Sequence, residues 1–187
     1  MVPTPVMAES LTATCEVFAS ACNAILKLAL EHGTTNNVKI HHLAYAATRA
    51  STELSANLVV RAIRRVSSSM TAAKRRGGKP QGFQPSSIDY DARIFAFREK
   101  DETVSLTVIG GRIHVPLHIG TYQRDALRGK RPTAATVCRK GRTKWFIHIV
   151  VEDEDPKKRG GPPLGIDLGI RNIATLSTGT KISGKEH

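Results

Sequence analysis

Near residue 87 the hydrophobic period of the chain changes. Before that point apolar residues recur at steps of three and four; after it they alternate with polar ones. Helices and strands need those two spacings to put apolar side chains on one face. A chain that uses them in separate blocks is expected to fold as α+β, not as alternating βαβ units.

The first block reads as three helices. The spacing predicts one over 8–31, with Leu11, Cys15, Phe18, Cys22, Ile25 and Ala29 on a single stripe and Gly33 as its stop. A second fits 39–50, with Ile40, Leu43 and Ala47 on one side. A third fits 53–75, with Leu58, Ala62, Val66 and Met70 as its stripe. The second block reads as at least five short strands. Val104, Leu106 and Val108 point one way, and Ile113, Val115, Leu117 and Ile119 do so on the next strand. Gly110-Gly111 lies between them as a hairpin turn. A short helix, TYQRDALRG, precedes two further strands, TAATVCRK and KWFIHIVV. This pattern predicts a small antiparallel barrel. Trp145 and Phe146 must face opposite sides of their strand, so one is core and the other is available to stack on a base.

Charge narrows the partners. The chain has 187 residues with 28 Lys+Arg against 16 Asp+Glu, a net charge of +12. Such an excess favours polyanions, with nucleic acid first. No basic amphipathic helix with bulky aromatic anchors is evident, and no apolar run reads as long enough to span a bilayer, so a membrane is not an expected partner. The first ten residues lack the features of a signal peptide, which predicts a cytoplasmic protein. Three cysteines without a C-x-x-C pair give neither a disulfide framework nor a metal site, and are expected to be small core residues.

The cations cluster. Arg61, Arg64, Arg65, Lys74, Arg75, Arg76 and Lys79 are seven bases in a stretch with no acid. Solvated faces ordinarily mix signs; this one does not, and it is the leading candidate for phosphate contact. On a later strand Arg112, His114 and His118 share the polar face, where they are either RNA contacts or ordinary surface residues.

The stretch EDEDPKKRGGPP, with four acids, three bases, two glycines and three prolines, reads as a linker. After it comes GPPLGIDLGIRNIATLSTGTKISG. Leu164, Ile166 and Leu168 alternate with Gly165, Asp167 and Gly169, and Thr178-Gly179 turns a second strand into a third. A carboxylate inside an apolar strand is costly unless it is paired or binds a metal. The flanking glycines would let a phosphate or a second strand come close. Asp167 is therefore the candidate metal ligand and catalytic acid, the alternative being an Asp capped by backbone N–H groups.

LGIDLGIRNIATLSTG resembles the first RuvC motif of the TnpB family, the transposon-encoded RNA-guided DNA endonucleases related to type V CRISPR effectors. The segments FASACNAILKLA, LSANLVVRAIRRV, SIDYDARIFAF and the run from Val104 to Glu152 follow that family's order. The resemblance implies a helical recognition region over 1–86, a wedge-type β-barrel over 87–155, and a linker with the start of an RNase H-like RuvC domain over 156–187. It implies guide RNA and target double-stranded DNA as partners, with Arg61, Arg64 and Arg65 beside the guide–target duplex. It makes Asp167 the first of three carboxylates holding two Mg²⁺ ions. The family's later Glu and Asp, its Cys-rich zinc insertion and the usual first wedge strand have no counterpart here. The chain alone is thus expected to bind structured RNA but not to cut DNA. The alternative is a non-catalytic RNA/DNA-binding module derived from such a nuclease. A GIDLGT-like opening also begins the actin-like ATPases, but Ile170-Arg171-Asn172 and the long basic region ahead of it depart from that pattern.

Overall fold

The computed structural model describes residues 1–141, 143–152, 164–169 and 172–183. The chain divides into two compact units, residues 1–152 and 153–187. Most of the expected linker lies outside the described residues.

In the first unit, α1 (Pro5–Glu31), α2 (Asn37–Ser51) and α3 (Ala56–Arg75) come first. Helix α1 starts earlier than its apolar stripe because Pro5 stands at its first turn. The Thr4 side chain accepts from the Met7 N–H at 3.4 Å. Asn36 caps α2 by accepting from the N–H groups of Val38 (2.9 Å) and Lys39 (3.0 Å). Ser55 caps α3. All six stripe residues expected on α1 are buried, as are all four on α3. On α2 the expectation fails in part. Its buried side is Ile40, Ala44 and Thr48, while Leu43 and Ala47 are exposed. A strict step of four, not three then four, lines this helix up with its neighbours. Helix α1 also corrects the expectation about apolar runs: by length and composition it could cross a bilayer. Its apolar side instead forms one wall of the core.

The strands β1 (Ser87–Asp91), β2 (Phe95–Arg98), β3 (Thr103–Val108) and β4 (Gly111–Pro116) follow. Then come α4 (Thr121–Leu127), β5 (Ala134–Lys140) and β6 (Lys144–Val150). The expected hairpin is present, with Val108 opposite Gly111 and positive φ at Gly110 and Gly111, which glycine adopts without a Cβ penalty. The expected closed barrel is not. These strands form two separate three-stranded antiparallel sheets, ordered β1-β5-β6 and β2-β3-β4. The edges of β4 and β6 do not pair with each other. Residues 1 and 2 touch both: the Val2 N–H donates to the Pro116 carbonyl at 2.9 Å, and the Met1 amine donates to the Trp145 carbonyl at 3.1 Å. Helix α4 lies between the same strands, with Leu127 buried and Leu117, Ile119, Ile147 and Ile149 around it. An apolar cavity of about 230 Å³, lined by α4 and these residues, lies where ladder hydrogen bonds would close a barrel.

Helices and both sheets share one core, which runs from Leu11, Phe18 and Ile25 through Leu58 and Val66 to Tyr90, Leu106, Val137 and Trp145. Cys15 and Cys22 belong to it, and burial pushes both thiols up to about 12.

The second unit contains β7 (Ile166–Asp167), β8 (Asn172–Leu176) and β9 (Lys181–Ser183), an antiparallel sheet ordered β7-β8-β9. The turn at Thr178-Gly179 is where the sequence placed it, closed by the Gly179 N–H on the Leu176 carbonyl at 2.8 Å. Gly165 serves close strand approach. Its N–H donates to Ser177 Oγ at 3.0 Å, and a Cβ built on it would meet the Ser177 Cβ at 3.4 Å.

Candidate nucleic-acid interface

Helical spacing puts Arg61, Arg64, Ser68 and Arg75 on one stripe of α3, opposite the buried Leu58, Ala62, Val66 and Met70. Arg64, Lys74, Arg75, Arg76 and Lys79 are exposed, and Arg61 is half-buried. The last turn of α3 holds Lys74 and Arg75, which complement the negative end of the helix dipole. That accounts for two cations but not for the row. Ser67, Ser68 and Thr71 line a surface concavity with Arg75 and Arg76, where the Ser67 and Thr71 hydroxyls donate to the Thr35 and Ser67 carbonyls at 2.7 and 2.8 Å.

The loop carrying Lys79 is held in place. Asn23 on α1 clamps it: its Nδ2 donates to the Phe83 carbonyl at 3.0 Å, and the Phe83 N–H donates to its Oδ1 at 2.7 Å. Between this loop and the end of α3 lies a groove of about 430 Å³, lined by Ser69, Arg76, Lys79 and Gln81. Arg76 reaches both the groove and the concavity beyond it. Such an array offers several backbone phosphates a cation each.

Arg65 stands apart from its neighbours. Its side chain is 14% exposed, and its Nε donates to Asp89 Oδ2 at 2.7 Å. One Nη donates to the Ser87 carbonyl and Oγ, at 2.9 and 3.2 Å, and the guanidinium lies 4.9 Å from the centre of the Phe18 ring. Asp89 also accepts from the Thr136 hydroxyl at 3.0 Å. Burial works to raise the Asp89 pKa. The hydrogen bond from Arg65, its charge and the Thr136 hydroxyl outweigh burial and hold the carboxyl below its ordinary value. Arg65 thus joins α3 to β1 and, through Asp89, to β5. Its donors are engaged inside the protein, unlike those of Arg64 one residue earlier.

Sequence reasoning missed this network. Two signs of it were on view. Arg65 sits on the flank of its helix nearest the apolar stripe, and Asp89 and Asp91 recur at strand spacing on one face of SIDYD. A carboxylate pair on a half-covered strand face calls for cationic partners, and Arg65 and Arg93 supply them.

Arg112 lies on β4, exposed, with its Nε donating to Ser105 Oγ at 2.8 Å. His114 is exposed on the same face, opposite Ser105. His118 is exposed beyond the end of β4, and nothing brings these groups together with the α3 stripe. Of the aromatic pair, Trp145 is core and Phe146 is 45% exposed.

The burial that its apolar neighbours predict for Asp167 is not found. Its strand is two residues long, and its carboxylate faces solvent. Ile166 and Leu168 beside it are also exposed, so burial does not force a partner on it. A two-metal centre needs several acids converging on one point. Asp167 is the only acid among the described residues of its unit, and no group of three His, Cys, Asp or Glu fit for a metal occurs among the described residues. The described residues do not fit a two-metal centre.

No family model matches the chain. Over 103 residues, 54% of its length, it is 33% identical to a Streptomyces pristinaespiralis protein described as "Putative RNA-guided DNA endonuclease". The chain spans 24% of that relative's length. It is thus distantly related to an RNA-guided DNA endonuclease over part of its length.

Proposed function

We propose that residues 1–152 are a nucleic-acid-gripping part of an RNA-guided DNA endonuclease of the TnpB type. The observation that carries this reading is the one-signed row of Arg61, Arg64, Arg75, Arg76 and Lys79, set against a helix side that is wholly core. Helix α3 holds Arg61, Arg64 and Arg75 at fixed spacing, Arg76 is its C-cap, and Lys79 stands on the loop that Asn23 clamps, so these cations can neutralise several phosphates of one duplex and release its counterions. In this reading the α3 row supports a guide RNA–target DNA duplex, in which base pairing reads the sequence and the protein reads shape and charge. Arg112 and the outer surfaces of the sheets contact the RNA scaffold. The segment from Leu164 opens a RuvC-type nuclease domain, to which Asp167 contributes one Mg²⁺ ligand in an assembled site. The distant relationship to an RNA-guided DNA endonuclease supports the assignment.

The test is the salt dependence of RNA binding by the purified chain. Five phosphate contacts predict a slope of log K against log salt of roughly −4. Absence of binding at low salt, or a flat slope, overturns the reading. Mg²⁺-dependent cleavage of a nucleic-acid substrate is not expected from this chain. Cleavage abolished by Asp167→Asn would show an active centre that the described residues do not form.

A further inference from the structure

The outward face of the β1-β5-β6 sheet has a composition that the core does not require. Strand β6 is an edge strand. Its inward residues Trp145, Ile147 and Ile149 join or pack on the core. Its outward residues are Lys144, Phe146, His148 and Val150, all exposed. The register sets Lys140 opposite Lys144, Cys138 opposite Phe146, and Thr136 opposite His148. The same face therefore presents two lysines at one end, then an aromatic ring, then a histidine.

The acids on this face are already neutralised. Asp89 and Asp91 of β1 share it by register, and they are paired with Arg65 at 2.7 Å and Arg93 at 2.8 Å. No ion pair is formed by Lys140 or Lys144 among the described residues. The surface is thus cationic beside an exposed ring. Protein–protein interface cores are depleted in lysine, which argues against a protein as its occupant. A ring with cations beside it on a sheet face is instead the arrangement that holds single-stranded nucleic acid, with bases stacked and the backbone beside the charges.

We infer that this face seats a single-stranded RNA segment, with one base stacked on Phe146 and its backbone beside Lys140 and Lys144. The inference rests on the nucleic-acid reading above, but its chemistry differs from that of the α3 row. Stacking is selective for unpaired bases and insensitive to salt, whereas the α3 row acts on phosphates of any strand.

The experiment measures binding of a short oligouridine and of a duplex RNA by the full chain across a salt series. Phe146→Leu keeps an apolar side chain of similar size, and Phe146→Tyr restores the ring. Phe146→Leu is expected to weaken oligouridine binding about 10-fold, with duplex affinity and both salt slopes unchanged. Phe146→Tyr is expected to bind like the parent. Unchanged oligouridine affinity in a folded Phe146→Leu protein overturns the inference and leaves the α3 reading standing. Equal losses for oligouridine and duplex overturn it too, because they signal a general defect. If the parent chain binds neither RNA at low salt, both readings fall.

Discussion

In residues 1–152 the large apolar side chains point mostly inward and the cations outward; in residues 164–183 most of the large apolar side chains face water. Leu168 is 75% exposed, and Leu164, Ile166, Ile173 and Ile182 are each about half exposed, with Ala174 the one buried residue among the described residues of that unit. The contrast is one of layers. The first unit has helices to lay over its sheets, so Ile88, Tyr90, Leu106 and Val137 reach full burial. The described residues of the second unit form one sheet with strands of two, five and three residues, and one layer cannot bury its own face. Alternation predicts which residues share a face in both units. Only a second layer turns that face into a core.

The largest expected effect sharpens this contrast. Phe18→Ala removes a fully buried ring that also carries Arg65, and should destabilise the first unit by about 4 kcal/mol. The intrinsic fluorescence of Trp145, the sole tryptophan and itself buried, reports the shift in a urea melt. Leu168→Ala should leave the same melt in place. A comparable loss from Leu168→Ala would break the comparison.

Next in size is Arg65→Met, expected to cost about 3 kcal/mol by leaving the Asp89 carboxylate without its partner. Its effect has a pH signature. The Asp89 pKa is lowered in the folded protein, so the pair's stabilisation is fully present above the ordinary carboxylate value. It is lost as the pH falls through the lowered one. Without Arg65, burial raises the Asp89 pKa of the variant, so the gap in melting temperature should be constant near neutrality and narrow as the pH falls through the carboxylate range, where the variant's Asp89 takes up its proton before the parent's. At a temperature where both are folded, the salt slope of RNA binding should be the same for the two. A slope that falls in Arg65→Met would place this arginine on the ligand rather than in the fold.

The converse pair is Arg75→Glu with Arg76→Glu. Stability should change by less than about 1 kcal/mol, mostly through the helix dipole. The salt slope should weaken by about two units if both cations contact a duplex. Fluorescence anisotropy across a salt series reads it directly. Unchanged binding would reduce the α3 row to a solvated helix face.

The smallest effects belong to the second unit. Asp167→Asn should shift stability by no more than about 0.5 kcal/mol, since the carboxylate is exposed. Converting Leu164 and Leu168 to serine should lower the binding of a hydrophobic dye without moving the Trp145 melt. A loss of more than about 1 kcal/mol from Asp167→Asn would show that this acid has a partner after all.

Much of the molecule is legible in the sequence alone. The stripes of α1 and α3, the Gly110-Gly111 hairpin, the turn at Gly179 and the opposite facing of Trp145 and Phe146 all follow from local rules. Helix and strand periods are properties of a short stretch of backbone, and glycine turns depend on one or two φ values. The α2 stripe is not legible in this way because four of its 15 residues are alanines with a weak apolar signal, and its neighbours decided which of them to cover.

What the tertiary structure alone decided involves partners far apart in the chain. Whether six strands close into a barrel depends on how β4 and β6 approach, and the N-terminal residues and α4 intervene there. Arg64 and Arg65 are identical in type and adjacent in sequence. One faces solvent, and the other is bound to an acid 24 residues away, because a helix turns by about 100° per residue and only one of the two faces β1. The same holds for Asp167. Its sequence context marks it as a carboxylate between apolar residues, but burial is set by what packs over a strand. Chain-local chemistry determined the elements and the sign of the surface. Packing between distant segments decided which charges remain available to a ligand.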